Sequence, residues 1–284
     1  MKFGLTYFST AESIHPARLG PAMEVAGFES LWAVEHSHIP VSDAMPGRFQ
    51  EATPGVRREY YETTDPFVSL SIAAAVTTKL RLATGVCLVP QRNPFQTAKS
   101  VASLDVLSGG RVLFGVGAGW YAPEIENHGV VFAERFAVMR EHVEAMKCLW
   151  MDEQAEYVGS HVNFGPAYAW PKPSQKPYPP IHMGGGGLTA IRRAVGYCDA
   201  WVPLWEEGEQ NPLALIPTLR DEVARAGRDA DGFEVSIFFC PPDRDTIERC
   251  REAGVTRVLL PMPALPENES LEAVARMAEL IDAV

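Results

Sequence analysis

The chain has 284 residues, of which 46% are hydrophobic, and its formal net charge is -11. This length and hydrophobic share are enough for a large buried core, organised as one barrel-sized domain or as two smaller ones. The acidic balance argues against nucleic acid or an anionic membrane as a partner, because both are bound by basic surfaces.

The pattern of cysteines and the first residues of the chain indicate in which cellular compartment the protein is expected. The five cysteines are scattered and never form a C-x-x-C pair, which is typical of reduced thiols rather than of a disulfide scaffold or a zinc site. No apolar run reaches transmembrane length, and the first predicted strand is not preceded by a leader-like apolar segment. We therefore expect a cytosolic protein.

Strands and helices alternate along the first half of the chain. Apolar runs predict strands at Lys2–Phe8, Phe28–Val34, Leu80–Val86 and Arg111–Val116. Helical spacing predicts helices at Pro16–Ala26, Phe67–Thr77 and Pro94–Leu107. One long irregular stretch, the early loop (Ile39–Pro66), interrupts the pattern, and ordered loops of this length in a compact domain are usually functional.

The second half continues the alternation after a helix predicted at Glu134–Trp150. A second irregular stretch, the proline-rich segment (Ala155–Pro180), has no helical period and reads as an excursion that covers one end of the fold. Further strands are predicted at Pro180–Met183, Cys198–Pro203, Phe233–Phe239 and Val255–Leu260. Further helices are predicted at Ala190–Tyr197, Asn211–Ala226, Asp245–Ala253 and Ser270–Ala283.

This alternation predicts an α/β fold with a parallel sheet. About eight strands are predicted, which is the number that closes a (β/α)8 TIM barrel of this length. A doubly wound sheet would have fewer strands and a glycine-rich turn after the first one, which the residues after Phe8 lack. We expect a single barrel domain over residues 1–284, with the two irregular segments inserted at the C-terminal face, where barrel sites lie.

A run of four glycines indicates phosphate binding. It stands between a predicted strand and a helix, so several backbone N–H groups and a helix N-terminus can face an anion. Thr189 adds a hydroxyl that could bind the same anion. The alternative to phosphate binding is that the glycines only form a tight turn. The run consists of Gly184, Gly185, Gly186 and Gly187. The spaced glycines Gly115, Gly117 and Gly119 are a weak dinucleotide signal, because no helix opens directly from them.

Glu35 and His36 follow the second strand and are predicted to form a hydrogen-bonded acid–imidazole pair that handles a proton. The alternative is a structural pair that closes the strand. His36 and His38 also suggest a metal site with His182, but the strand ends supply no carboxylate to complete it, so no metal is predicted. Trp120 is expected to line the pocket. The alternative is that it fills the core as a buried aromatic residue.

Several of these motifs together resemble the bacterial-luciferase-like flavin and deazaflavin oxidoreductases, which are (β/α)8 barrels. The resemblance extends over nearly the whole chain and is closest to the branch that depends on coenzyme F420, a deazaflavin. The matching motifs are Leu31–His36, Ala83–Val86 with Asn93-Pro94, Leu107–Arg111, Gly115–Trp120, Trp170–Pro173, Pro179-Pro180 and the glycines from Gly184.

The resemblance implies roles for particular residues. A non-prolyl cis peptide at Gly85-Val86 would back the cofactor ring, with Ala118 and Gly119 beside it, and the four glycines would hold the cofactor phosphate. His36 would be the acid/base beside the ring, and Trp120 and Tyr121 would line the substrate pocket. Relatives often carry Asn where Tyr121 stands, so the resemblance does not extend to a substrate hydrogen bond at this position. The family is commonly homodimeric.

The resulting hypothesis is a coenzyme F420-dependent oxidoreductase that passes a hydride between the deazaflavin and a small organic substrate, whose identity the sequence does not give. The early loop and the proline-rich segment would exclude water and select that substrate. Three alternatives remain open: an FMN-dependent monooxygenase on the same fold, a metal-dependent hydrolase, and a flavin-binding barrel without catalysis.

Overall fold

The computed structural model describes residues 1–41, 57–208 and 211–283. Its strands are β1 (Lys2–Tyr7), β2 (Ser30–Ala33), β3 (Arg81–Thr84), β4 (Cys87–Leu88), β5 (Val112–Gly117), β6 (Ala155–Val158), β7 (Asn163–Ala167), β8 (Ile181–Gly184), β9 (Ala200–Val202), β10 (Glu234–Phe238) and β11 (Arg257–Met262). Its α-helices are Pro16–Val25, Arg58–Glu62, Pro66–Val76, Pro94–Ser108, Ala122–Asn127, Arg135–Met151, Gly187–Tyr197, Ile216–Arg225, Arg244–Glu252 and Glu267–Asp282.

Eight parallel strands close into a barrel, which confirms the predicted fold. They follow the order β3-β2-β1-β11-β10-β9-β8-β5, and pairing between β3 and β5 closes the ring. The short β4 continues the path of β3 and pairs with the end of β5, Cys87 opposite Val116. Each crossover between barrel strands carries a helix to the outside, as parallel pairing requires.

Local chemistry sets where the helices begin and end. Asn93 and Asp65 stand before the helices that start at Pro94 and Pro66, and their side chains accept backbone N–H groups of the first turn. Proline at the first helical position has the required φ and lacks the N–H that would be unpaired there. Gly109 ends its helix with φ of 73°, a left-handed cap that glycine adopts at little cost.

The core has two parts. A central cluster inside the barrel packs Trp32, Leu113 and Leu259 with Ala83 and Val202. A larger cluster fills the space between the strands and the surrounding helices. Across the described ranges, every helix falls short of the length and apolarity that a membrane span requires.

The two irregular segments contain regular structure that their sequences did not predict. The described part of the early loop contains the short helix Arg58–Glu62, and its residues 42–56 lie outside the described ranges. The proline-rich segment contains an antiparallel ribbon of β6 and β7. It leads from a helix back to the start of β8, and its Gln175 donates to the carbonyl of Val112 at the start of β5, 2.8 Å away. The segment therefore reaches the N-terminal end of the barrel, so its predicted insertion at the C-terminal face is wrong. The early loop, in contrast, follows the C-terminal end of β2 as predicted.

An ionic cluster joins the N-terminal ends of several strands. The fully buried Arg257 guanidinium donates to Glu29 at 2.8 Å and to Glu234 at 3.0 Å, and Lys2 donates to Glu234 at 2.7 Å. Burial opposes ionisation of Glu234, but the charge of Arg257 and the hydrogen bond from Lys2 lower its pKa to about 2. This end of the barrel is therefore stabilised by charge, far from the strand ends where barrel sites lie.

We predict that Glu234→Gln lowers the free energy of unfolding by about 1–3 kcal/mol near neutral pH, because Arg257 loses one of its two carboxylate partners. Because the pKa of Glu234 is lower in the folded state than its ordinary value of 4.5, its ionised carboxylate stabilises the fold at pH values above 4.5. This stabilisation is lost as the pH falls toward about 2. The difference between native and variant should therefore shrink over that range in urea titrations followed by circular dichroism.

The matched control is Glu272→Gln, which removes an exposed partner 4.0 Å from Arg276 and should change stability by less than about 0.5 kcal/mol. A Glu234→Gln effect as small as that of the control, or one that does not vary with pH, would contradict this account of the cluster.

Candidate active site

A cleft of about 720 Å³ opens at the C-terminal ends of the barrel strands. Most of the residues predicted for the site line it, contributed by the ends of β2, β3, β5 and β8. They are Glu35, His36, Gly85, Val86, Ala118, Gly119, Trp120, Gly184, Gly185, Gly186 and Gly187. Thr189 and Tyr121 are not among the lining residues. None of the proline-rich segment lines the cleft either, so the expectation that it selects the substrate is wrong.

The floor of the cleft, which we call the shelf, is the Gly85-Val86 peptide between β3 and β4. This peptide is cis, as predicted. Val86 fits into space left by two missing side chains: a Cβ on Gly117 would lie 2.5 Å from Val86 Cγ2, and one on Gly184 would lie 3.1 Å from Val86 Cγ1. Gly85 in turn lies against Trp32 and Phe238, where a Cβ would be 3.0 Å from each. The shelf is thus fixed by close packing on both sides.

The same packing explains the spaced glycines of β5. A Cβ on Gly115 would lie 2.0 Å from the carbonyl oxygen of Thr84, whose hydroxyl donates to the carbonyl of Gly115 at 2.6 Å. Gly115 and Gly117 are therefore glycines because β5 approaches the backbone of β3 and the shelf. They do not form a dinucleotide-binding turn, in agreement with the weak signal in the sequence.

One end of the cleft is suited to an anion. Gly184–Gly187 lead into the helix Gly187–Tyr197, and Cβ atoms on Gly186 and Gly187 would meet nothing within 4 Å. The backbone there is open to a ligand, and the helix N-terminus adds partial positive charge. Thr189 is exposed and does not reach the lining.

Two arginines that the sequence analysis did not identify lie at this end, which we call the anion end (Gly184–Gly187, Arg135 and Arg193). Both guanidiniums pack on Phe136, at 4.4 Å and 3.5 Å from its centroid. Burial, and then the neighbouring charge of Arg193, lower the pKa of Arg135. Within the described ranges neither guanidinium forms an ion pair with an acid, and no acid is among the causes that shift the pKa of Arg135. Arg135 donates to the carbonyls of Gly119 and Phe132, at 3.3 and 2.8 Å, which orients its guanidinium without neutralising its charge. The positive charge of both arginines is therefore available to an anion at this end.

The opposite side of the cleft holds His36. Its Nδ1 donates to Glu124 Oε2 at 2.8 Å, and the other carboxylate oxygen accepts the Ser37 N–H at 2.9 Å. Burial opposes ionisation of Glu124, but the hydrogen bonds from His36 and Ser37 outweigh it and lower its pKa. An ionised Glu124 keeps the proton on Nδ1, which leaves Nε2 as the ring nitrogen available to a ligand.

The predicted pairing of Glu35 with His36 is wrong. Glu35 accepts the Leu88 N–H at 2.6 Å and the Arg92 guanidinium, which also binds Asp65 at 2.6 Å. Successive residues after a strand diverge, so the two neighbours face different partners. Glu35 ties β2 to the residues that follow the shelf, and Arg92 is neutralised there rather than free to meet an anionic ligand.

The other histidines do not form a metal centre in the described part of the chain. His38 contacts Ser37 and Asn127 at 2.8 and 2.9 Å, and Ser37 Oγ also lies 2.7 Å from His128 Nε2. His182 lies inside the barrel with its ring edge-on to Trp32, 5.4 Å between centroids. No group of three or more possible ligands comes together among the described residues.

The two aromatic residues after β5 have different places. Trp120 lines the cleft and packs against His36 with 5.7 Å between ring centroids. Tyr121 is buried, and its hydroxyl donates to the carbonyl of Pro40 at 2.9 Å. Tyr121 therefore holds the start of the early loop, which accounts for its absence from the cleft lining.

The residues that sequence reasoning missed carried weak signals. Glu124 stands four positions after Trp120 in a helix too short for a periodic pattern, and its partner His36 is 88 positions away. Arg193 follows the glycine run by six positions, whereas Arg135 begins a different helix. Only the barrel brings these residues to one cleft.

The chain is similar to known proteins over nearly its whole length. Residues 11–281 match the family described as luciferase-like monooxygenase. A Mycobacterium tuberculosis protein described as uncharacterized is 39% identical over 282 residues, which cover 98% of each chain. An F420-dependent glucose-6-phosphate dehydrogenase of Segniliparus rotundus is 32% identical over 253 residues, covering 82% of this chain and 67% of that protein.

A solved structure shares the fold. The crystal structure of a monooxygenase from Streptomyces bottropensis aligns with a TM-score of 0.77 and 23% identity, covering 100% of this chain and 99% of that one. At this identity the likeness concerns the barrel alone.

We predict that Glu124→Gln reverses the His36 tautomer. The oxygen of the new amide keeps the bond from the Ser37 N–H, so its NH2 group faces Nδ1 and moves the ring proton to Nε2. The ring then has no lone pair toward the cleft, and proton transfer should slow by about 100-fold. The tautomer is read from the 15N chemical shifts of the two ring nitrogens.

Glu126→Gln is the control, because it changes an exposed acid of the same helix. It should leave both the tautomer and the rate unchanged. If Nδ1 stayed protonated in Glu124→Gln, the carboxylate would not be what orients His36.

Proposed function

The chain belongs to the luciferase-like monooxygenase family, and from this premise we propose that it is a coenzyme F420-dependent oxidoreductase. It would transfer a hydride between the deazaflavin and a small organic substrate. The observation that carries the proposal is the arrangement of the cleft: a close-packed shelf, an anion end on one side, and His36 Nε2 on the other. The relative named as an F420-dependent dehydrogenase supports the choice of the deazaflavin.

The residues present fit such a cofactor. The shelf and the apolar residues beside it, Leu88 and Met183, offer a flat surface to a ring. Gly186 and Gly187 leave their backbone open, where a phosphate can approach the N–H groups closely. Arg135 and Arg193 supply the charge that a phosphate or carboxylate requires. We assign Gly85, Val86, Ala118 and Gly119 to the ring and the anion end to the phosphate.

The chain's own residues then account for the proton. When bound, the deazaflavin supplies the carbon that accepts or gives the hydride. The Nε2 lone pair of His36 takes the hydroxyl proton of an alcohol as its carbon loses hydride, and in reverse Nε2 returns the proton to a carbonyl oxygen. Glu124 stabilises the imidazolium that forms. Trp120 and Tyr60, packed against the His36 ring at 5.7 and 5.2 Å, exclude water from it.

An FMN-dependent monooxygenase is the second candidate. The family description favours it, because it names a monooxygenase. FMN carries a phosphate that the anion end can bind in the same way. The two proposed functions therefore differ in the ring of the cofactor and in the reaction. Both cofactors would occupy the same part of the cleft.

We also propose a homodimer. The helix Pro94–Ser108 exposes Phe95, Val106 and Leu107, and Trp170 is exposed on the proline-rich segment, whose Phe164 packs on Phe95. Apolar side chains exposed on neighbouring elements are typical of a surface that a second copy covers.

The cofactor is tested by equilibrium titration. We expect F420 to bind at least about tenfold more tightly than FMN, measured by the change in ligand fluorescence. Arg193→Ala should weaken F420 binding by about tenfold, because a charge-assisted hydrogen bond to the cofactor is lost. Arg192→Ala is the matched control: that neighbour pairs with Glu222 at 3.7 Å and does not line the cleft.

Tight binding of FMN without binding of F420 would contradict the assignment and favour the monooxygenase. Equal effects of the two arginine substitutions would show that the anion end is misplaced. Neither outcome depends on knowing the substrate.

A further inference from the structure

The side of the cleft next to His36 is built from aromatic rings. Tyr60 and Trp120 lie 5.2 and 5.7 Å from the His36 ring and 6.2 Å from each other. Phe8 continues the wall at 5.1 Å from Tyr60, and Phe239 lies 6.3 Å beyond Phe8 in a stacked arrangement. We call these four side chains the aromatic end. All four line the cleft.

Four separate parts of the chain supply these rings. Phe8 follows β1, Tyr60 lies on the helix Arg58–Glu62, Trp120 follows β5 and Phe239 follows β10. Phe239 has φ of 55°, the one positive value among the described non-glycine residues. Such a conformation is unfavourable for a bulky residue and persists only where neighbours enforce it. Backbone hydrogen bonds fix the residues on both sides of Phe239. The Trp205 N–H donates to the Phe238 carbonyl at 2.8 Å, and the Cys240 N–H donates to the Leu259 carbonyl at 3.0 Å.

The charges near the aromatic end are already paired within the described ranges. The Arg57 guanidinium lies over the Phe8 and Tyr60 rings and binds Glu59 at 3.1 Å. Glu35 is bound by Arg92, and Glu124 by His36. This contrasts with the anion end, where two guanidiniums lack acidic partners among the residues that the structure describes. His36 Nε2 is thus available to a ligand beside mostly apolar ring faces, where the other polar groups, the Tyr60 hydroxyl and the Trp120 indole N–H, carry no charge.

We propose that the substrate is an uncharged, flat apolar alcohol or ketone, typified by an aryl carbinol, whose ring packs in the aromatic end and whose oxygen meets His36 Nε2. This assignment rests on the proposed function. The alcohol is oxidised to the ketone: its carbinol carbon gives a hydride to the cofactor and its hydroxyl gives the proton to His36. A carboxylate or phosphate on the substrate would be desolvated among the rings without a partner, which is costly.

Three alcohols with F420-loaded protein test the proposal: 1-phenylethanol, mandelate and glucose 6-phosphate. The first two differ by a methyl group in place of a carboxylate. We expect kcat/KM for 1-phenylethanol, followed by loss of the F420 absorbance, to exceed that of either anion by about 100-fold. Preference for mandelate or for the sugar phosphate would overturn the substrate class, as would F420 binding with no oxidation of 1-phenylethanol.

The variants Tyr60→Leu and Tyr61→Leu test whether the substrate ring binds in the aromatic end. Tyr61 is the exposed neighbour on the same short helix and does not line the cleft. Tyr60→Leu should raise KM for 1-phenylethanol by about five- to tenfold, whereas Tyr61→Leu should not change it. F420 affinity should stay the same in both. Equal effects on KM, or weaker F420 binding in Tyr60→Leu, would overturn the assignment of the aromatic end. Absence of F420 binding in the native protein would instead overturn the proposed function.

Discussion

The placement of Val86 is the constraint on which the site depends. Its side chain occupies space that exists only because Gly117 and Gly184 have no Cβ, so the ends of three strands approach each other around one valine. Gly85 extends the contact to Trp32 in the barrel interior. Because close-packed interiors transmit small displacements, the shelf has the rigidity of the barrel core rather than that of a loop. A ligand that lies on the shelf is thereby held at a fixed height relative to His36 and to the glycines at Gly184.

Charge divides the cleft into two unlike ends. Acids and bases near His36 neutralise each other, with Arg92 bound to Glu35 and Asp65, and Glu124 bound to His36. At the anion end, Arg135 and Arg193 share Phe136 as a support and repel each other, so an anionic ligand relieves the repulsion. The net charge of -11 therefore does not describe the anion end, where two arginines lie side by side. This asymmetry sets a direction for an elongated ligand with one anionic end.

Much of the fold could be predicted, because barrel strands and helices carry strong local patterns. The cleft residues that follow strands were found for the same reason: parallel strands bring their ends to one face. Pairings between side chains were not predictable. Adjacency suggested Glu35 as the partner of His36, whereas the carboxylate that binds it comes from Glu124, 88 positions away. The place of the proline-rich segment was not predictable, because composition marks irregular backbone without showing which end of the barrel it covers. Its position follows from topology, since it connects a helix to the start of β8.

A crystal structure of the protein grown with F420 tests the central claim most directly, because the claim is about where each part of a cofactor lies. The account predicts electron density for the tricyclic ring against Gly85-Val86 and for the phosphate at Gly184–Gly187, within hydrogen-bonding distance of Arg193. A ring seated away from the shelf, or a phosphate placed beside His36, would contradict it.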